Sequence, residues 1–199
     1  MSKSVSKSVS EPASEYRLHP MPFLGGYNQV FSGLSLREAV GLAIVSIALP
    51  RGNPAGPALE KAFGTALPEV GKSANAANDK YRLLRLGSEQ VFVLFEHATA
   101  DAESEIAALI GGAAYTTDQT DSWVALSVQG ARVRAVLARI CPLDLHGGVF
   151  AIGNVARTSM EHLGTIILRT DEDQFLLLSA SSSAQSFLHA LETSIRYTA

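Results

Sequence analysis

Two different hydrophobic patterns alternate along the first half of the chain. Continuous apolar runs bounded by Gly or Pro are typical of buried strands, and apolar residues at i, i+3 and i+4 spacing are typical of an amphipathic helix. These patterns predict a strand, a helix, a two-stranded hairpin and a helix over residues 43–49, 57–66, 81–86, 91–95 and 102–110. Asp101 is the expected N-cap of the last helix, and Gly111 follows its expected end. The first half therefore predicts a β-α-β-β-α unit.

The second half repeats this order. It predicts strand, helix, hairpin and helix over residues 123–128, 131–140, 164–168, 175–178 and 183–195. Residues 56–68 align with residues 130–142 without a gap, and both segments begin with Gly and end with Pro. The hairpins also align without a gap, with Leu84-Arg85 on Leu168-Arg169 and Gln90 on Gln174. The repeat unit is about 75–85 residues long. This is too long for a solenoid repeat and is typical of a duplicated supersecondary motif.

The predicted fold class is α+β, with two tandem ferredoxin-like (split β-α-β) units. Each unit places two helices on one face of its sheet, so the opposite faces must be covered by each other or by a partner. We expect a single compact body over residues 37–199, with repeats at about 43–118 and 121–199.

Residues 1–36 follow neither pattern and are predicted to form a disordered tail and an irregular arm. Residues 1–14 are rich in Ser and Lys and lack the apolar core of a secretory signal. The following stretch is aromatic but interrupted by Pro and Gly, so it cannot bury its own side chains. It is either a strap over the domain's own core or an arm that docks on another subunit. The candidate contact residues there are Tyr16, Phe23, Tyr27 and Phe31.

Composition narrows the function classes. Apolar residues make up 47% of the chain and charged residues 18%, so part of the apolar excess is available to face a partner. The net charge of −3 offers no clustered basic surface for nucleic acid. No apolar run approaches the ~20 residues that cross a bilayer. The single cysteine, Cys141, cannot form an internal disulfide, which indicates the cytoplasm.

No catalytic, cofactor-binding or metal-binding constellation is recognisable in the sequence. The five histidines are scattered singly, and Cys141 follows a predicted helix, where nothing lowers its pKa. The glycine pairs lack the context of a dinucleotide or phosphate loop. Asp144 and Arg157 are charges in an otherwise apolar region, and they are either a buried pair at a subunit contact or ordinary surface residues.

An ordered series of short motifs resembles the gamma subunit of heterotetrameric sarcosine oxidase. The series consists of Asp118-Gln119-Thr120-Asp121-Ser122-Trp123, Pro142-Leu143-Asp144-Leu145-His146 and Ala156-Arg157-Thr158. The similarity extends from near Leu36 to the end of the chain. One departure is Ser181-Ser182-Ser183-Ala184, where the family tends to show an Arg-Ser pair, and this leaves the particular substrate open.

The resemblance implies the fold of the folate-binding aminomethyltransferases, which agrees with the repeat. It implies a complex that oxidatively demethylates sarcosine to glycine, with release of formaldehyde or transfer to tetrahydrofolate, and with hydrogen peroxide as a product. The expected partners are alpha, beta and delta subunits, which would carry FAD, FMN, NAD, tetrahydrofolate and zinc. The gamma chain itself is expected to be accessory and cofactor-free.

Three alternatives remain open at this point. The chain can be a free-standing folate-binding protein of one-carbon metabolism, or a subunit of a related secondary-amine dehydrogenase. It can also be a small independent enzyme that uses Cys141 or His146. The first alternative requires an anionic-ligand pocket, whereas a subunit role requires a surface that fits other chains.

Overall fold

The computed structural model describes residues 21–52 and 54–198. Over these residues the chain forms eleven strands and four α-helices. The strands are β1 (Asn28–Phe31), β2 (Leu34–Glu38), β3 (Leu42–Ala48), β4 (Ser73–Asn75), β5 (Arg82–Gly87), β6 (Gln90–Glu96), β7 (Tyr115–Asp118), β8 (Trp123–Gln129), β9 (Val155–Met160), β10 (Leu163–Asp171) and β11 (Gln174–Ala180). The helices are α1 (Gly56–Phe63), α2 (Ala102–Ile110), α3 (Val133–Ala138) and α4 (Ala184–Tyr197).

The strands form two antiparallel sheets with equivalent orders. The sheet of the first half has the order β4-β5-β6-β3-β7, and that of the second half has the order β9-β10-β11-β8-β2, with β1 added at its edge. In each sheet the hairpin β5-β6 or β10-β11 lies beside the long strand that opens the repeat. The predicted duplication and α+β class are therefore confirmed.

The second-half sheet includes two strands from the beginning of the chain. β2 precedes the first repeat in sequence but pairs with β8, Leu36 lying opposite Val128. The corresponding position of the first-half sheet is filled from within that repeat, because β7 follows α2 and pairs with β3, Ile47 lying opposite Thr116. The N-terminal hairpin thus crosses to the second repeat, which neither hydrophobic pattern predicted.

The sheets pack face to face, with the helices on the outside. One core lies between the second-half sheet and α3 and α4, and a separate one lies between the first-half sheet and α1 and α2. A third cluster joins the inner faces of the two sheets and includes Ile44, Phe92, Ile166 and Leu178. Because both faces are covered, five consecutive residues of β6 and of β8 are buried, which explains their continuous apolar sequence.

A short antiparallel contact joins the segments that precede β4 and β9. The Ser73 amide donates to the Gly153 carbonyl at 2.7 Å, and the Val155 amide donates to the Gly71 carbonyl at 2.9 Å. Between these two bonds, Lys72 pairs with Asn154 and its Nζ donates to Asn154 Oδ1 at 2.6 Å. The reciprocal bonds fix the relative position of the two halves.

The aligned hairpin residues have equivalent roles in the two halves. Arg85 Nε donates to the Gly87 carbonyl at 2.8 Å, and Arg169 Nε donates to the Asp171 carbonyl at 3.2 Å, each across a bulge in its hairpin. Gln90 Nε2 reaches Ser46 Oγ, and Gln174 Nε2 reaches Ser127 Oγ, both at 3.4 Å. These shared contacts support the gapless alignment of the hairpins.

Several expectations from the sequence need correction. The arm is not irregular throughout, because residues 28–31 and 34–38 form the β1-β2 hairpin. α1 and α3 are shorter than expected, and β4, β7 and β9 are additional strands. Asp101 does occupy the N-cap position of α2, but its carboxylate accepts a hydrogen bond from Thr99 and pairs with His97 instead of bonding a helix amide.

Candidate functional site

The aromatic residues of the arm lie partly against the chain's own second half. Tyr16 lies outside the described residues. Tyr27 and Phe31 pack on the core beneath the second-half sheet, and the Tyr27 hydroxyl donates to Glu192 Oε1 on α4 at 2.5 Å. Phe23 remains 41% exposed. The strap interpretation therefore fits Tyr27 and Phe31, whereas Phe23 keeps a surface available for contact.

Asp144 and Arg157 make separate contacts. Asp144 is exposed, and its Oδ1 accepts the His146 amide at 2.9 Å in the loop after α3. Arg157 is also exposed and donates from Nη2 to Gln90 Oε1 at 2.6 Å, with its guanidinium 5.7 Å from the centre of the Phe92 ring. They do not form the buried pair considered from the sequence, and their role as contact residues stays a prediction.

Cys141 has the environment of a structural thiol. It is buried in the core beneath the second-half sheet, and burial raises the pKa of the thiol above its ordinary value despite hydrogen bonds from Leu143 and Thr158. A raised pKa disfavours the thiolate, which is the nucleophilic form. The expectation of an unreactive cysteine fits this geometry.

A polar network ties the start of α2 to the first-half sheet. Glu105 Oε1 accepts hydrogen bonds from Lys80 Nζ and from the Tyr81 hydroxyl, both at 2.5 Å, and Glu105 Oε2 lies 3.4 Å from His97 Nδ1. The hydrogen bonds from Lys80 and Tyr81 lower the pKa of Glu105. Within residues 21–52 and 54–198, no group of three or more His, Cys, Asp or Glu side chains could hold a metal ion. The network connects Glu105 of α2 to Lys80, Tyr81 and His97 and has a structural role.

A cleft of about 510 Å³ lies between β3 of the first repeat, β8 of the second repeat and residues 21–23 of the arm. We call it the crossover cleft. It is lined by residues 21–23, 38–42, 44, 96–98, 120, 121, 123 and 125. Leu42 and Ile44 of β3 and Trp123 and Ala125 of β8 contribute apolar side chains from both repeats. The cleft is thus shared between the two repeats and the arm.

Glu38 organises one wall of the crossover cleft. It is 8% exposed, and its carboxylate accepts the amides of Leu24 at 3.1 Å and of Gly26 at 2.9 Å. These bonds fold residues 21–26 back over the end of β2 and hold Met21 and Phe23 at the rim. Glu38 therefore has a positioning role, and its acceptor sites face the arm's own backbone.

Trp123 lies in the crossover cleft with an unsatisfied indole. Its ring contacts Phe92 edge-on at 5.9 Å between centres. Its Nε1 is withdrawn from solvent and has no hydrogen-bond acceptor among the described residues. Thr120, Asp121 and Trp123, which line the cleft, belong to the first motif of the sequence series. That motif was the available signal for this site, but only the fold brings it against β3 and the arm.

Comparison with known proteins gives consistent matches. The gamma subunit of sarcosine oxidase from Arthrobacter sp is 27% identical over 157 residues, which span 78% of this chain and 77% of the relative. The gamma subunit from Corynebacterium sp. (strain P-1) is 26% identical over 159 residues, spanning 79% and 78%. This chain resembles sarcosine oxidase gamma subunits. The resemblance inferred from the motif series is confirmed. No family model matches the chain.

Two solved structures have folds that match the fold of this chain. A chain of the heterotetrameric sarcosine oxidase from Corynebacterium sp. U-96, in complex with pyrrole 2-carboxylate, matches with a TM-score of 0.74 and 23% identity, over 83% of this chain and 85% of that one. The glycine cleavage system aminomethyltransferase T from Bartonella henselae matches with a TM-score of 0.61 and 18% identity, over 84% of this chain and 53% of that chain. The expected aminomethyltransferase-like fold is confirmed.

Proposed function

We propose that this chain is the gamma subunit of a heterotetrameric sarcosine oxidase-like complex. The observation that carries the proposal is the similarity to gamma subunits, which spans about four-fifths of this chain and of each relative. The matching fold of a chain from a heterotetrameric sarcosine oxidase supports it. The complex would demethylate sarcosine oxidatively to glycine, giving formaldehyde or methylene-tetrahydrofolate and hydrogen peroxide.

The chain itself acts as an accessory subunit in this proposal. Alpha, beta and delta subunits carry the flavins, NAD, tetrahydrofolate and zinc, and this chain orders them by contact. The raised pKa of Cys141 and the engagement of Glu105 in a structural network support a role without chemistry of its own. No helix among the described residues is long and apolar enough to cross a membrane. A cytoplasmic location is part of the same proposal.

Purification from the host tests the proposal directly. The chain is isolated through an affinity tag, and its native mass and absorbance spectrum are measured on the same fraction. We expect a species far heavier than the 21.1 kDa chain, with a flavin spectrum and with peroxide release on addition of sarcosine. A colourless monomer would contradict the subunit role. Tetrahydrofolate titration of that monomer would then test the free-standing alternative.

Co-expression identifies what the chain contributes to the complex. The candidate alpha, beta and delta subunits are produced with and without this chain, and flavin content and assembly are compared. We expect incomplete assembly without the chain. Full assembly, flavin occupancy and turnover in its absence would exclude the ordering role.

A further inference from the structure

The rim of the crossover cleft exposes large apolar side chains. Met21 is 80% exposed, Val40 58% and Phe23 41%, and all three line the same cleft. Exposed apolar residues that cluster around a depression mark interaction sites, whereas isolated ones need no explanation. The floor continues this surface through Leu42 and Ala125. The cleft is therefore an apolar surface that is suited to a partner.

Charge adds a second requirement for what binds there. The exposed carboxylates of Glu96 and Asp121 stand at the rim, and no Lys or Arg among the described residues lines the cleft. The remaining titratable groups are Glu38, which accepts arm amides, and His97, whose Nε2 lies 2.7 Å from Asp101 Oδ1. An acidic rim attracts a basic segment and disfavours an acidic one.

We propose that the crossover cleft receives an extended segment of another subunit, with a large apolar side chain next to a lysine or arginine. This rests on the proposed function as a complex subunit. A volume of about 510 Å³ accommodates one or two large side chains. A segment is favoured over a small metabolite because Met21 and Val40 are both more than half exposed, and a longer partner covers them together with the rest of the cleft.

The indole of Trp123 provides a probe of the crossover cleft. The side chain lines the cleft and contacts Phe92, and Trp123 is the single tryptophan of the chain. A spectroscopic signal from tryptophan therefore reports on this cleft.

A matched pair of substitutions tests the site. Val40 and Val70 are both 58% exposed and lie in turns, but only Val40 lines the cleft. Each variant, Val40→Gln or Val70→Gln, is co-expressed with the other subunits and with an equal amount of differently tagged wild-type chain, and the ratio of variant to wild type in the purified complex gives the relative affinity. We expect Val40→Gln to bind about tenfold more weakly and Val70→Gln to bind like the wild type, since burying a valine contributes on the order of 1.5 kcal/mol. Equal affinity of the two variants would overturn the cleft assignment while the subunit role stands.

Fluorine NMR then identifies the occupant. The chain is labelled with 5-fluorotryptophan, which gives one resonance, and spectra are recorded for the isolated chain and for the chain reconstituted with the other subunits. A shift on assembly that Val40→Gln weakens supports the proposal. An unchanged resonance in an assembled complex overturns it. A shift produced in the isolated chain by deleting residues 1–20 would assign the cleft to this chain's own N-terminal segment and would also overturn it. Failure of the wild type to assemble overturns both proposals.

Discussion

Arg169 and Arg85 occupy equivalent positions in the two repeats but differ in burial. Arg169 is 4% exposed and donates three hydrogen bonds, to the carbonyls of Phe150, Asp171 and Glu172 at 2.8, 3.2 and 2.7 Å. Arg85 is half-buried and donates to the carbonyls of Gly87 and Ser88. The contact that joins Arg169 to Phe150 also holds the loop that precedes β9. The duplication thus supplies an internal comparison of one interaction in two environments.

The buried arginine is expected to contribute more to stability than its exposed counterpart. Arg169→Met removes the three donors and leaves the Phe150 carbonyl unpaired in a buried position, so the free energy of unfolding should fall by about 3 kcal/mol. Arg85→Met should lower it by about 1 kcal/mol, because water replaces the lost donors. Urea unfolding of the three proteins measures the difference. Equal losses would show that the loop before β9 does not depend on Arg169.

At the scale of elements, the β1-β2 hairpin is tied to the second half through Tyr27. Its hydroxyl bonds to Glu192 on α4, and its carbonyl accepts the Glu38 amide at 2.7 Å. Burial, followed by the hydrogen bond and charge of Glu192, raises the pKa of the Tyr27 hydroxyl above its ordinary value. The protonated hydroxyl is the form that the folded protein stabilises.

This tether gives a testable dependence of stability on pH. The folded-state pKa is raised, so the contribution is present below the unfolded value near 10 and is lost as pH rises toward the folded value. At pH 8 the free energy of unfolding of Tyr27→Phe should be about 1 kcal/mol lower than that of the wild type. This difference should shrink above pH 10. Tyr115→Phe, which alters a 79% exposed tyrosine, is the control. A gap that stays constant to pH 11 would contradict the tether.

The elements that the sequence predicted correctly are those with two buried faces or a clear helical stripe. β6, β8 and α2 agree with their expected bounds to within one residue, because their apolar patterns reflect local burial. β4 reads Ser-Ala-Asn and β7 reads Tyr-Thr-Thr-Asp, so neither has an apolar pattern. These strands exist because a neighbouring strand pairs with them through backbone hydrogen bonds, β4 with β5 and β7 with β3, and such pairing does not require an apolar pattern.

For the whole molecule, the same limit explains what was missed at the candidate site. The sequence identified Phe23 as a contact candidate and Trp123 within a motif, but it gave no reason to place them together. The crossover cleft forms because β2 pairs with β8, which brings the arm, the β2-β3 turn and the start of β8 to one place. The repeat predicted the order of elements within each half, whereas the pairing of β2 with β8 depends on tertiary contacts between distant segments.

The pairing of β2 with the second-half sheet also predicts that the halves depend on each other. When the chain is divided after residue 112, fragment 1–112 lacks β7 and fragment 113–199 lacks β2. Each fragment would also expose its inner sheet face, including Ile44 and Phe92 in the first and Ile166 and Leu178 in the second. Neither fragment should unfold cooperatively alone, because an open sheet edge and an uncovered apolar face both disfavour the isolated fold.

Mixing the two fragments should restore a one-to-one complex with the circular dichroism spectrum and cooperative unfolding of the intact chain. The control is the full chain with a protease site inserted between Gly112 and Ala113 and cleaved after folding, since this opens the chain at the same place without separating the halves first. We expect the cleaved protein to remain assembled. Cooperative unfolding of either isolated fragment would show that it folds without its missing edge strand, and the two halves would then be independent units joined by their inner faces alone.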